Sequence, residues 1–222
     1  MAGREEGLFL RLLFCGSVSL RGYAKHTFLR NRLRKRRDNG IMENEFPETK
    51  YQETKEKRQG NKKMAIEIVR EYLKKWNADS RILEFPVSSA TVELAAQAVG
   101  CEPARIAKTL SFLVGDHAIL IVAAGDAKID NPKYKGIFHT KAKMLSADQV
   151  TDLIGHAVGG VCPFGVKEGV EVYLDESLRR FETVFPAAGS SNSAIEVTME
   201  QLEQYSGSTN WIDVCKGWQE AL

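Results

Sequence analysis

Two apolar runs separated by two residues constrain the fold of this chain more than any other feature. The runs cover residues 108–114 and 117–124, and Gly115-Asp116 stands between them. Two connecting residues with glycine first suit a type II′ turn, which joins antiparallel strands. The pattern therefore predicts a β-hairpin.

Helices and further strands surround this hairpin without strict alternation. Apolar residues at helical spacing predict a helix over 65–77, and a second helix over 91–99 has Ser88-Ser89 and Gly100 as its expected caps. We expect further helices at 131–138, 146–154 and 198–205, and strands at 81–85, 170–174, 182–187, 194–197 (paired with 182–187) and 211–214. The prediction is an α+β fold, with one compact domain over 64–222.

Charge separates this domain from the residues before it. Residues 1–63 contain 16 Lys/Arg and 8 Asp/Glu, whereas residues 64–222 contain 15 and 21. Residues 43–63 are charged and lack apolar periodicity, so we expect disorder there. The first 63 residues are interpreted as a disordered basic leader, an organellar transit peptide, a basic nucleic-acid arm or an upstream stretch from a wrongly chosen start, since Met64 resembles an initiator.

Missing motifs exclude several classes of site. The chain has no P-loop, no dinucleotide-binding glycine motif, no H-E-x-x-H and no G-x-S-x-G. Its four cysteines form no C-x-x-C pair, which argues against structural zinc and a disulfide framework and favours the cytoplasm. No apolar run approaches the roughly 18–20 residues of a membrane helix. We expect no cofactor, metal or membrane partner.

Two segments remain as candidates for binding. Lys108 enters an apolar strand, where it either binds an anion in a cleft or extends to water at the strand edge. The paired glycines Gly159 and Gly160 allow close backbone approach to a ligand, or form an ordinary connecting loop. Cys162 in that loop is interpreted as a packed thiol, because no obvious base lies beside it in sequence, although His156 could approach it.

Six segments in order resemble the YbaK/ProX family, which includes the editing insertion of bacterial prolyl-tRNA synthetases. They are TVELAAQAVG, IAKTLSF, ILIVAAGD, the G-G-V-x-P-F-G loop, VYLDESL and AAG…AIEVT…QL, within residues 66–215. The resemblance implies a curved mixed sheet flanked by helices. It also implies a cleft for the 3′ CCA end of tRNA and hydrolysis of the aminoacyl ester without a protein nucleophile, with an aminoacyl-tRNA synthetase as a further possible partner.

Site residues carry over from the family by position. Lys108 and Gly159 are the expected catalytic residues, with Lys108 at the place of the family lysine and Gly159 and Pro163 at the ends of its G-x-x-x-P loop. The expected substrate-binding residues are Phe112, Gly160, Val161, Cys162, Pro163, Gly189, Ser190 and Asn192. Many members have serine where this chain has Cys162, which leaves the edited amino acid open.

Charge and chemistry leave three hypotheses. Lys128, Lys133, Lys135, Lys141 and Lys143 either bind the tRNA end or form a solvated face. The leading hypothesis is an aminoacyl-tRNA deacylase acting in trans. The others are a module that binds charged tRNA without hydrolysis, and a basic-tailed nucleic-acid adaptor.

Overall fold

The fold is α+β, as predicted, and a computed structural model describes it for residues 65–208 and 210–219. The predicted leader, residues 1–63, lies outside the described residues. The strands are β1 Leu83–Glu84, β2 Ile106–Val114, β3 His117–Ala124, β4 Lys128–Ile129, β5 Glu171–Asp175, β6 Thr183–Pro186, β7 Ser193–Ala194, β8 Val197–Thr198, β9 Trp211–Ile212 and β10 Cys215–Lys216. The helices are α1 65–73, α2 Val92–Val99, α3 Asn131–Phe138, α4 Ala147–Gln149 and α5 Met199–Ser206.

Shorter helical segments join these elements. Residues Lys74–Trp76, Asp79–Arg81, Pro103–Arg105 and Glu176–Arg180 form 3₁₀ turns, and α4 continues as a π-helical turn over Val150–Ile154. The predicted helix over 65–77 is thus an α-helix that tightens in its last turn.

A curved, mixed sheet of six strands forms the centre of the domain, in the order β8-β6-β2-β3-β5-β9. The predicted hairpin is its middle: β2 and β3 pair antiparallel from Ala107↔Ala124 to Val114↔His117. Gly115 has φ +62°, whereas Asp116 is not among the residues with positive φ, as a type II′ turn requires. Parallel pairs β2–β6, β3–β5 and β5–β9 extend the sheet.

The core lies on both faces of β3. Every residue from Ala118 to Ala124 is buried, because β2 and β5 flank this strand and helices and loops cover the sheet. A second, smaller cluster joins Ala96 of α2 to Ile106 and Phe185 at the start of β2 and in β6. This contact fixes α2 beside the edge of β2.

The predicted N-cap of α2 was wrong. Thr91, rather than Ser88 or Ser89, caps α2, since its side chain accepts from Leu94 N. Both serines instead contact the carbonyl oxygen of Ser191. Their position is therefore determined by a contact distant in sequence, which local pattern does not reveal.

The strand predicted over 194–197 is divided. Val197–Thr198 pairs with β6, as expected, whereas Ser193–Ala194 pairs with β1. Likewise, the last predicted strand ends at Ile212, and the chain continues into β10, which pairs with β4. Long-range pairing thus divides apolar runs that look continuous in sequence.

Candidate active site

A cleft of about 310 Å³ opens beside β2. Its volume is at the lower end of the range for small-molecule sites. Its lining residues are Ser89, Ala90, Thr91, Val92, Ala95, Ile106, Ala107, Lys108, Thr109, Ser111, Met144, Leu145, Ala147, Val150, Val158, Gly159, Val161, Phe185, Ala187, Ser190, Ser193 and Ala194. Apolar side chains and hydroxyl groups dominate, and the lining contains no carboxylate or imidazole. The cleft therefore suits a ligand with both apolar and hydrogen-bonding parts.

The cleft exists because β2 has two different neighbours on its outer edge. Within β2, only Ile106 and Ala107 at its start pair with strand β6. Near the other end, the segment 139–145 between α3 and α4, here named the strap, takes over: Leu113 N donates to Lys143 O (2.9 Å) and Leu145 N donates to Ser111 O (3.1 Å). The cleft lies along the stretch between these two partners.

Lys108 borders this cleft, but its amine is held elsewhere. Its Nζ donates to the carbonyl oxygens of Gly125 (2.9 Å) and Ala127. Burial lowers the pKa of this amine from its ordinary value, and nearby Asp126 and Asp175 partly oppose that effect. In this arrangement Lys108 ties β2 to the turn after β3.

Gly159 and Gly160 occupy different environments. Gly159 is exposed at the cleft with φ +89°, a conformation that favours glycine. Gly160 is buried, and a Cβ there would lie 2.7 Å from Gly189 O and from Ser190 Cα. Close approach is thus required at Gly160, but between two segments of the protein itself.

Cys162 is a packed thiol. It is fully buried, its Sγ donates to Phe164 O (3.6 Å), and burial raises its pKa to about 12. His156 does approach it: its Nδ1 accepts from Cys162 N (3.3 Å) and lies 3.7 Å from Sγ. Burial lowers the pKa of His156 to about 4. Since the thiol is held protonated and the imidazole neutral, no thiolate–imidazolium pair forms.

The other predicted substrate-binding residues divide into two groups. Val161 and Ser190 line the cleft. Pro163 and Gly189 are buried and are not among its lining residues, and Phe112 packs on Tyr134 with ring centroids 5.2 Å apart.

Asn192 connects two loops at the side of the cleft. Its Nδ2 donates to Phe85 O (2.8 Å), and its Oδ1 accepts from Ser190 Oγ (3.0 Å). Asn192 thereby positions Ser190, which itself reaches the lining.

The structure also brings to the cleft residues that sequence reasoning did not select. Thr109 and Ser111 of β2 line it, and Thr109 Oγ1 is buried without a hydrogen-bond partner among the described residues. Met144 and Val158 are exposed at its rim. Thr109 and Ser111 are two residues apart in β2, and residues at that spacing lie on the same face of a strand. The strand pattern could therefore have grouped them on one face, opposite to that of Lys108 and Phe112.

The five lysines of the predicted cluster have different surroundings. Lys133 forms an ion pair with Asp213 (2.7 Å). Lys128, Lys135, Lys141 and Lys143 are exposed. Lys141 and Lys143 belong to the strap, whose last residues Met144 and Leu145 line the cleft. The strap thus carries positive charge to the cleft rim.

Residues 65–208 and 210–219 contain no group of three or more His, Cys, Asp or Glu side chains that could hold a metal ion. No helix among them is both long and apolar enough to cross a bilayer.

A match to a protein family identifies the kind of domain that contains this cleft. Residues 87–205 match the family described as "Aminoacyl-tRNA editing domain". The chain belongs to this family. The resemblance found in the sequence is thereby confirmed, and aminoacyl-tRNA is the substrate that an editing domain implies.

Relatives agree with this assignment. The chain is 55% identical over 157 residues to "Uncharacterized protein YwhH" of Bacillus subtilis, and the match covers 70% of this chain and 100% of that protein. A stretch of 78 residues is 28% identical to a proline–tRNA ligase of Bacillus cytotoxicus, but it represents 14% of that enzyme. The ligase similarity therefore concerns one part of a much larger protein.

Solved structures show the same fold. A crystal structure of a proposed trans-editing enzyme for prolyl-tRNA synthetase has a TM-score of 0.63 and 28% identity, and the match covers 69% of this chain and 98% of that one. The hypothetical protein APE2540 has a TM-score of 0.58 at 24% identity, covering 65% of this chain and 99% of that one, which bears on the fold alone. Editing domains of this fold serve the fidelity of translation.

Proposed function

We propose that this protein hydrolyses mischarged aminoacyl-tRNA in trans. The observation that carries the proposal is the cleft beside β2, which belongs to an editing-family fold and combines apolar walls with hydroxyl groups. An aminoacyl-adenosine end has the same mixed character, with an apolar side chain and base beside a polar ester and ribose. The proposed substrate is thus the 3′ CCA end of a charged tRNA.

The proposed reaction uses water as nucleophile. Its oxygen forms a bond to the acyl carbon, the bond from that carbon to the ribose oxygen breaks, and a proton passes to the ribose oxygen. The cleft lining has no carboxylate or imidazole to act as a base, and Cys162 is buried and protonated. Binding, orientation and hydrogen-bond donors are what the protein contributes, and an adjacent ribose hydroxyl can relay the proton.

The expected catalytic residues have distinct roles in this proposal. Gly159 allows the backbone to approach the ester, since its own position at the cleft is exposed and it has no side chain. Lys108 either leaves the carbonyls of Gly125 and Ala127 to contact the substrate, or contributes indirectly by fixing that turn.

The strap provides a path for the tRNA beyond its last nucleotide. Between Asp130 and Asp148 the chain has four lysines and no acidic residue, in a domain that is otherwise acidic. Exposed Lys141 and Lys143 precede the cleft-lining Met144, so phosphates of the acceptor end can follow the strap outward.

We further propose a cytoplasmic location, because Cys101, Cys162 and Cys215 are all free thiols. A synthetase is a candidate partner that would deliver the mischarged tRNA.

A deacylation screen tests this function. The full chain is incubated with tRNAs charged with a panel of amino acids, and the amino acid released is measured against a no-enzyme control. We expect turnover on at least one mischarged species, and loss of turnover in Lys108→Ala with an unchanged circular dichroism spectrum. Full activity in that variant removes Lys108 from the mechanism.

The lack of a carboxylate or imidazole in the lining favours one second candidate, a module that binds charged tRNA without hydrolysing it. Saturable binding of charged tRNA with no release across the full panel supports this candidate over the enzyme. A basic-tailed adaptor is a third possibility, and it predicts that deletion of residues 1–63 abolishes activity, whereas the enzyme loses little.

A further inference from the structure

The outer edge of β2 is paired at both ends and open in the middle. At its start, Ala107 pairs with Pro186 of β6. Towards its end, Ser111 O and Leu113 N are bonded to the strap. From Ala107 to Ser111 the strand advances about 13 Å, and no strand or strap residue among those described occupies that stretch.

Strand geometry determines which backbone groups face this gap. In an antiparallel pair the N–H and C=O of one residue point to the same edge, and successive residues point to alternate edges. Since Ser111 O and Leu113 N point to the strap, odd-numbered residues of β2 face the outer edge, and even-numbered residues face β3. The N–H and C=O of Thr109 and the N–H of Ser111 therefore face the gap.

These three groups have no hydrogen-bond partner within residues 65–208 and 210–219. Thr109 and Ser111 both line the cleft, so the gap in pairing lies beside it. Unpaired backbone groups inside a protein are rare because each costs free energy. At Thr109 and Ser111 they form a polar site between two protein segments.

An aminoacyl group has the complementary chemistry. It offers a carbonyl oxygen as acceptor and an α-ammonium group as donor, on either side of one carbon, as a single residue of a neighbouring strand would. We propose that the aminoacyl group fills the gap in the sheet. Its acyl oxygen accepts from Thr109 N–H, and its α-ammonium donates to Thr109 C=O. This inference rests on the proposed function and identifies how the same cleft holds the substrate.

This pairing also contributes to the reaction. When water attacks the acyl carbon, negative charge develops on the acyl oxygen, and Thr109 N–H is already positioned to stabilise it. The hydrogen bond from the charged α-ammonium to Thr109 C=O orients the ester. Acyl esters that lack the α-amino group should therefore bind less well than aminoacyl esters. Ser111 N–H lies about 7 Å further along the strand, where the ribose extends.

Backbone amide NMR tests the site without changing the fold. The ¹⁵N-labelled full chain is titrated with 3′-alanylamido-3′-deoxyadenosine, a stable amide analogue that has the acyl oxygen, the α-amino group and the smallest chiral side chain. We expect the Thr109 amide to show a downfield proton shift and slower hydrogen exchange, with a smaller effect at Ser111. Leu113, which already donates to Lys143 O, is the internal control and stays unchanged.

The outcomes separate this inference from the proposed function. If amides of Gly159 and Val161 respond but the Thr109 amide does not, the analogue binds in the cleft without using the open edge, and the inference is overturned. Failure of the analogue to perturb any cleft amide overturns it as well. A response at Thr109 in a protein that releases no amino acid supports the inference and contradicts hydrolysis.

A matched pair of substrates tests the acceptor half of the site. Adenosine 3′-alanyl ester and its propionyl counterpart differ only in the α-amino group. Each kcat/KM is divided by the non-enzymatic hydrolysis rate of the same ester. Because a hydrogen bond from a charged group contributes more than a neutral one, this ratio is expected to be about ten- to hundredfold lower for the propionyl ester. Equal kcat/KM for the two esters overturns the role of Thr109 C=O.

Discussion

The glycine loop over residues 155–165 and the strand β2 contribute to the cleft in opposite ways. The loop is conspicuous in sequence, yet most of its unusual residues face inward: Gly160 packs on backbone, and Cys162 and His156 are buried together. Strand β2 looks like an ordinary apolar strand, yet it leaves backbone donors and an acceptor open to the cleft. The comparison shows that an unusual composition can serve packing, whereas an interrupted pairing can supply the binding groups.

The largest expected effect concerns the buried imidazole of the glycine loop. Unfolded histidine has a pKa near 6.5, whereas burial lowers that of folded His156 to about 4. Between these values the unfolded chain binds the extra proton, so the contribution of His156 to stability is complete above about pH 7 and is lost as the pH falls towards 4. The loss corresponds to about 3 kcal/mol.

The variant His156→Asn isolates this effect, because its side-chain oxygen can accept from Cys162 N but does not titrate. Urea unfolding of both proteins between pH 7 and 4 should show a steeper loss of stability in the wild type. If the two curves run parallel across this range, the imidazole is not buried in its neutral form.

Gly160→Ala is expected to have the next largest effect. Its Cβ would meet the backbone of Gly189 and Ser190 at 2.7 Å, so the two loops must separate. We expect a loss of about 1–3 kcal/mol in unfolding free energy, together with weaker deacylation.

Gly136→Ala in α3 is the matched control, since nothing lies within 4 Å of a Cβ there. It should be neutral or slightly stabilising, as alanine is in a helix. Equal stability of Gly160→Ala and Gly136→Ala would show that the two loops are not in close contact.

A smaller effect is expected at the strap beside β2. The double variant Lys141→Gln/Lys143→Gln should raise KM for charged tRNA with little change in kcat. If each lysine neutralises one phosphate, the slope of log affinity against log salt should become shallower by about 0.7–0.9 per lysine removed. The double variant Lys74→Gln/Lys75→Gln after α1 is the control, because it also removes two positive charges. An equal change in KM and in salt slope for both double variants contradicts a specific role of the strap.

The smallest effect is expected at Cys162. The thiol is buried and its pKa is raised to about 12, so it has no part in bond formation. Cys162→Ala should deacylate tRNA at the wild-type rate, measured at saturating substrate, with only a modest loss of stability from the missing sulfur atom. A large fall in kcat without a fall in stability would restore Cys162 as a reacting group.

Local pattern was sufficient for much of the fold. The hairpin around Gly115, the helix starts at Ser146 and Thr198 and the cap at Gly100 all follow from residues close in sequence, and each was predicted. The family resemblance supplied the curved mixed sheet, which periodicity alone does not determine.

Long-range contacts account for what was not predicted. The open edge at Thr109 depends on where β6 ends and where the strap begins, and both places are distant from Thr109 in sequence. The contact between Lys108 and the turn at Gly125 likewise joins residues from different elements. At Gly160 close approach to a ligand was expected, whereas the neighbours are Gly189 and Ser190, which sequence alone could not identify.

Single-turnover deacylation is the most direct test of hydrolysis without a protein nucleophile. Excess full-length protein is mixed with a panel of charged tRNAs, and free amino acid and protein-bound acyl group are measured over time for the wild type and Cys162→Ala. The proposed function predicts release of at least one amino acid at the same rate in both proteins, with no acyl group on the protein. Absence of release from every tRNA, or an acyl group trapped on the wild-type protein alone, would contradict it.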